Sequence, residues 1–359
     1  MKEQIMGNYV FELKDIVKKF DVTVALNKVV FCAAEGEVIG LIGPNGAGKS
    51  TLMGILAGVT TATSGQIFLN GVEIPVKQYN TTIARQNGIA CAYQEFSLCS
   101  NLKVYENFAI TIMEHTLMDK PGWRKDVKKI AVEYLNRMFP SNGIDVNDKV
   151  YDLPIEQKQM VEICCAAATR NLKILVLDEP TSSLTTSRIR QLCDSIKKLK
   201  ESGITVIYIT HKLDEIKQVS SRVVVMKNGE VTWSGSIENT TTEQLVDLMG
   251  GKAVAHISSS IVEDSQREKL VSVKDLNIAN LKNVSMSIYK GEVVGLSGLG
   301  GSGQRELIHE IYDVSMGRKR KAIKIQSEAA YISGDRQNEG IFNLWSIADN
   351  IISNAPEVE

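Results

Sequence analysis

Residues 43–52 read "GPNGAGKSTL", a spacing suited to holding a polyphosphate. Gly43, Gly46 and Gly48 let the backbone curl until its N–H groups point inward at phosphate oxygens. A helix begins here, because Leu52, Ile55 and Leu56 share one face, and its N-terminus adds partial positive charge. Lys49 is placed to reach the β- and γ-phosphates and Ser50 to hold Mg²⁺. The competing reading is a chance Gly-rich turn. It is disfavoured because an apolar strand, "VIGLI" at 38–42, leads into the loop, as a P-loop requires.

A second cluster follows the apolar run "KILVLDEPTSSLT" at 173–185. Apolar side chains at successive positions predict a central parallel strand, and ligands bind at the carboxyl ends of such strands. There Asp178 is placed to bind Mg²⁺, directly or through water, and Glu179 to polarise an attacking water as general base. Alone, two acids at a strand end read better as a solvated turn; the P-loop upstream reverses that balance. Further on, "ITVIYITH" ends another strand in His211. A neutral imidazole there could hydrogen-bond a γ-phosphate or the attacking water; a structural histidine is the alternative.

These groups need elements to carry them. Ile189, Leu192, Cys193, Ile196 and Leu199 predict a helix between the two strands, stopped at Gly203. Asn70–Gly71 and Asn228–Gly229 are two-residue hairpin signals, predicting antiparallel pairs beside the parallel core. The chain also repeats itself. "EGEVIGLIG" at 35–43 matches "KGEVVGLSG" at 290–298, "FELKDI" at 11–16 resembles "VSVKDL" at 271–276, and the P-loop matches "GLGGSGQREL" at 298–307. A repeat of this length is a duplicated domain. Each copy predicts a leading strand, a second strand, a Gly-rich loop and a helix. The first copy is assigned to residues 8–250, a polar aperiodic linker to 251–268 and an incomplete second copy to 269–359.

Composition is that of a soluble globular protein: 43% of residues are hydrophobic and 23% charged. The net charge of −1 argues against binding nucleic acid through a basic footprint. No apolar run approaches membrane-spanning length, and the N-terminus has no signal-peptide core. The six cysteines lack metal or disulfide spacing, fitting a reducing compartment, and Cys164 and Cys165 read as small core residues.

The P-loop, the "LDEPTSSLT" acid strand and His211 together resemble an ATP-binding-cassette ATPase. "YQEFSL", "QMVEI", "GLGGSGQREL" and "YISGDRQNEGIF" narrow the likeness to the fused double-cassette ATPases of bacterial monosaccharide importers of the ribose, xylose and galactose type. The resemblance implies a P-loop NTPase fold: a RecA-like core with antiparallel β and helical subdomains, the latter at about 95–168, in tandem with an incomplete copy. It implies ATP and Mg²⁺ as cofactors. It identifies His211 as the switch histidine and Gln94 as the Q-loop glutamine joining Mg²⁺ to the permease contact. Phe20 matches the aromatic that stacks on adenine, with an apolar core role as its alternative. Asn45 and Thr51 join the phosphate loop. The expected partners are transmembrane permease subunits, indirectly an extracellular solute-binding protein, and a second cassette with an intact signature loop. The expected location is the cytoplasmic face of the cell membrane.

Several positions depart from that pattern. Such cassettes pair head to tail, with ATP between the P-loop of one and the L-S-G-G-Q signature of the other. Here residues 153–159 read "LPIEQKQ". Pro154 replaces a serine that would bond the γ-phosphate, and Glu156 brings a carboxylate expected to repel it. Early Pro and a first-turn acid are also good helix-start chemistry, so both readings stand. In the second copy Gln304 and Arg305 occupy the lysine and metal-hydroxyl positions, which predicts a structural half-site. The relatives continue beyond the length of this chain, which is therefore expected to be C-terminally shortened.

Overall fold

The computed structural model describes residues 9–112, 121–250, 267–278, 281–298, 302–333 and 340–353. The predicted linker at 251–268 lies, except for its last two residues, outside them. Two compact units are present, Met1–His256 and Ile257–Glu359.

The first unit opens with the long hairpin β1 (Tyr9–Phe20) and β2 (Thr23–Ala34), followed by β3 (Val38–Ile42) and α1 (Lys49–Leu56). Next come β4 (Ser64–Leu69), β5 (Val72–Ile74), α2 (Thr81–Gln86) and β6 (Ile89–Ala92). Helices α3 (Val104–Ile112), α4 (Trp123–Met138) and α5 (Ile155–Ala167) follow, then β7 (Ile174–Asp178), α6 (Thr186–Glu201) and β8 (Thr205–Ile209). The unit closes with α7 (Leu213–Val219), β9 (Arg222–Lys227), β10 (Glu230–Ser236) and α8 (Thr242–Leu248).

The strands form two sheets. One is antiparallel, ordered β2-β1-β4-β5. The other runs β10-β9-β3-β8-β7-β6, parallel throughout except at its β10 edge. Both Asn-Gly pairs make the predicted hairpins: φ is 50° and 78° at Asn70–Gly71 and 50° and 79° at Asn228–Gly229.

Alternation along the central strands builds two cores. Ile39, Leu41, Val176, Ile207 and Ile209 face the antiparallel sheet and α1, packing with Phe11, Leu13, Phe31 and Leu52. Val38, Ile42, Leu175, Leu177, Val206 and Tyr208 face the other way, onto the layer that includes Phe108, Leu135, Met160, Cys164 and Ile196. The central strands are thus covered on both faces, as their continuous apolar runs require. The carboxyl ends of β3, β7 and β8 consequently lie side by side.

The second unit holds β11 (Lys269–Ile278), β12 (Leu281–Tyr289), α9 (Gln304–Ser315), β13 (Ile323–Ile325) and α10 (Ile347–Ile352). Its antiparallel sheet, β12-β11-β13, packs Val273, Leu276 and Ile323 with Leu307 of α9. The helix after the Gly-rich loop forms as predicted, with Gly303 at its N-cap in the left-handed region (φ 97°). The strand before that loop does not form. Residues 292–298 carry no strand, and Val293 is 98% exposed. In the first unit the matching strand, β3, is held between β8 and β9. Residues 267–353 supply no counterparts of those two neighbours among the described residues, and an apolar strand without ladder partners has nothing to pair with.

Candidate active site

The phosphate loop runs from the end of β3 into α1. Gly43 adopts φ 153°, and a Cβ there would lie 2.2 Å from the Met226 carbonyl oxygen, so only glycine lets the chain leave β3 this close to β9. Gly46 and Gly48 are also at positive φ, 79° and 98°, which turns the loop's N–H groups toward one concavity. Lys49 Nζ donates to the carbonyl oxygens of Gly43 (2.7 Å) and Pro44 (3.0 Å), folding over its own loop. Burial pulls the Lys49 ammonium below its ordinary pKa, while the charges of Glu179 and Asp178 oppose that shift.

Asp178 ends β7 opposite Ile209 of β8. Burial raises its carboxyl pKa, and Glu179 adds to the shift, whereas Lys49 and a hydrogen bond with the Ser50 side chain counter it. Ser50, Lys49, Asp178 and Glu179 therefore share one electrostatic neighbourhood. Glu179 sits at φ 47°, a left-handed conformation uncommon for a residue with a side chain, and its N–H donates to Ile209 O at 2.9 Å. Its Oε1 lies 3.0 Å from Nδ1 of His211, which leaves the end of the neighbouring strand β8. The structure thus brings together Lys49, Ser50, Asp178, Glu179 and His211. Thr51 stands half-buried in the first turn of α1 and Asn45 is exposed on the loop.

Two further predicted residues are carried by other elements. Phe20 ends β1 and is 49% exposed, so it is not a core side chain; Lys18 Nζ lies 4.6 Å from its ring centroid. Gln94 is exposed in the loop after β6, the strand beside β7.

Sequence reasoning missed a buried acid behind the cluster. Glu215 of α7 accepts from Thr181 Oγ1 (2.9 Å) and Tyr208 Oη (2.8 Å) and pairs with Lys212 Nζ (3.2 Å). It ties the turn after Glu179 to the segment after His211. In "HKLDEI" Glu215 is one acid among several charges, so only its depth in the fold distinguishes it.

At the signature position Glu156 takes up the helix-start role, one of its two readings. Pro154 is the N-cap of α5 and Glu156 lies in its first turn. The Glu156 carboxylate accepts the Thr185 N–H at 2.9 Å, at the N-terminus of α6. The side chain is therefore engaged within its own unit, where it complements a helix dipole.

Known proteins resemble this chain. The ABC transporter family model matches residues 26–182. The ribose import ATP-binding protein RbsA 2 of Rhizobium meliloti is 35% identical over 360 residues, covering 95% of this chain and 68% of that protein. The xylose import ATP-binding protein XylG of Thermoanaerobacter pseudethanolicus is 35% identical over 375 residues, covering 96% and 72%. The solved ADP conformation of MJ1267, an ATP-binding cassette of an ABC transporter, superposes with a TM-score of 0.56 at 26% identity, covering 68% of this chain and 99% of that one. The fold and site define an ABC-type ATPase of the P-loop NTPase class. The chain belongs to the ABC transporter family, as an ATP-binding and ATP-hydrolysing subunit of the importer type.

Proposed function

We propose that the chain drives import of a monosaccharide or similar small polar solute, with Mg·ATP gripped by the first unit. The convergence of Lys49, Ser50, Asp178, Glu179 and His211 at adjacent strand ends is the observation that carries this reading. The relatives bearing sugar-import names supply the solute class. In this reading the loop around Gly43, Asn45, Gly46 and Gly48, with Lys49 and Thr51, binds phosphates, and Phe20 offers a half-exposed face to adenine. The hydroxyl of Ser50, the carboxylate of Asp178 and the amide oxygen of Gln94 are a hard-oxygen donor set, which fits Mg²⁺. When bound, that ion neutralises phosphate charge. Glu179 takes the proton of the attacking water and His211 holds Glu179 in place.

The permease would dock beside Gln94. A cavity of about 240 Å³ lies there, lined by Val59, Tyr93, Leu98 and Ile110, a mixed apolar and polar site suited to a short permease segment. Such docking places the chain peripherally on the cytoplasmic face of the membrane. Among the described residues no helix is long and apolar enough to cross one. An extracellular solute-binding protein would select the solute on the far side. A signature loop from a second cassette would complete the ATP site. The test is Lys49→Ala in the full chain: ATP affinity should collapse, and unchanged affinity would overturn the assignment.

Glu156 supports a second reading, of an ATP-binding chain with little hydrolysis until a signature loop is supplied in trans. Its own signature position holds Pro154 and a carboxylate committed to Thr185. Purified chain turning over ATP at the rate of an intact importer ATPase would exclude this version.

A further inference from the structure

Glu162 lies on α5 and is 2% exposed. Its carboxylate accepts three hydrogen bonds, from Tyr93 N (3.3 Å), Ser97 N (3.1 Å) and Ser97 Oγ (2.8 Å). Among the described residues it has no ion-pair partner within 4.0 Å. An unpaired buried charge is expensive, and burial duly raises its pKa. A neutral acceptor could satisfy the same donors at lower cost. A carboxylate instead offers two oxygens that together accept all three bonds from a segment with no regular secondary structure of its own.

What that segment carries decides the reading. Tyr93 immediately precedes Gln94 and Ser97 follows it by three residues, so one side chain clamps both ends of the loop bearing the metal-ligand candidate. The clamp is anchored on the helix that begins at the signature position. Glu162, Tyr93 and Ser97 also line the cavity beside the loop. Side chains that orient a metal ligand from behind set metal affinity without touching the ion.

We propose that Glu162 is a positioning residue that holds loop 93–97 so that Gln94 reaches the Mg²⁺ of bound Mg·ATP. This rests on the proposed function above, and the experiment separates the two. Fluorescent N-methylanthraniloyl-ATP is titrated into the full-length chain with Mg²⁺ and, in parallel, with EDTA. The wild-type chain should bind more tightly with Mg²⁺. Glu162→Ala should erode that Mg²⁺-dependent gain about tenfold while leaving affinity in EDTA within about twofold. Glu162→Gln, which keeps an acceptor, should restore part of it, and Ser97→Ala should lose part of it. Gln94→Ala should match Glu162→Ala, and the double variant should be no worse than either single one.

Equal losses with and without Mg²⁺, or fully additive losses in the double variant, would reduce Glu162 to a structural role and overturn the proposal. Should Glu162→Ala not fold, Glu162→Gln and Ser97→Ala carry the same comparison against Gln94→Ala. A wild-type chain that binds no nucleotide, or binds it indifferently to Mg²⁺, would overturn the proposed function and this inference together. A wild-type Mg²⁺ gain untouched by any Glu162 or Ser97 variant would overturn this inference alone.

Discussion

Glu179 Oε1 and His211 Nδ1 stand 3.0 Å apart at the ends of two adjacent parallel strands. This hydrogen bond ties the imidazole and the carboxyl group to each other across the two strand ends. Glu179 is held from two sides, by this contact and by its own N–H on Ile209 O in a left-handed backbone conformation. Strain of that kind persists where the surroundings over-determine it.

Glu179→Gln should therefore keep ATP binding and lose hydrolysis. The expected fall in kcat is at least about 100-fold, the typical contribution of a general base. Single-turnover hydrolysis, with nucleotide retention measured beside it, checks both halves.

Phe20 is half-exposed and packs into neither core, so its loss should spare the fold. Phe20→Ala should weaken ATP binding by about 1–3 kcal/mol, the usual worth of a base stacked on an aromatic ring, with an unchanged melting temperature. Phe20→Trp should bind at least as well as the parent chain. Calorimetric titration and a thermal melt measure the two effects separately.

Two glycines of the same loop should fail differently. A Cβ at Gly43 collides with the Met226 backbone, whereas none of the neighbouring atoms lies within 4 Å of a Cβ at Gly46. Gly43→Ala should destabilise the whole first unit. Gly46→Ala should cost about 1 kcal/mol of backbone strain and act mainly on nucleotide affinity. Urea unfolding paired with ATP titration distinguishes them.

In the second unit Arg320 donates to Glu310 at 2.7 and 2.9 Å. Those hydrogen bonds hold the Glu310 carboxyl below the usual carboxylate range, despite its burial. A depressed acid pKa stabilises the fold above the unfolded value, about 4.3, and this support is lost as pH falls through the lower folded value. Arg320→Ala should lower the melting temperature of this unit at pH 7 by a few degrees, and the gap to the parent chain should close below about pH 4. Scanning calorimetry between pH 7 and pH 3 follows it.

Local signals carried much of the architecture. The Asn-Gly turns, the phosphate loop and the acid strand are each decided by residues within a few positions of one another, and each appears where expected. Glu162 was invisible for the opposite reason, because its partners Tyr93 and Ser97 lie far off in sequence, and Glu215 because its link to Thr181 and its burial depend on the fold. Of the two readings of Glu156, the helix-start one is visible, with its carboxylate accepting from the N-terminus of α6. The segment "VVGLSG" at 293–298 reads as a strand by composition and by its match to β3, yet strand formation is a property of neighbours as much as of residues.

The placement of β3 sets an order of events in synthesis. It is translated at residues 38–42, yet the strands that flank it, β8 and β9, span 205–209 and 222–227. A chain emerging from the ribosome makes its lysine loop early and can seat it only after most of the first unit has followed. Until then the apolar strand is a guest without a table, and the interval is when chaperones would have most to protect.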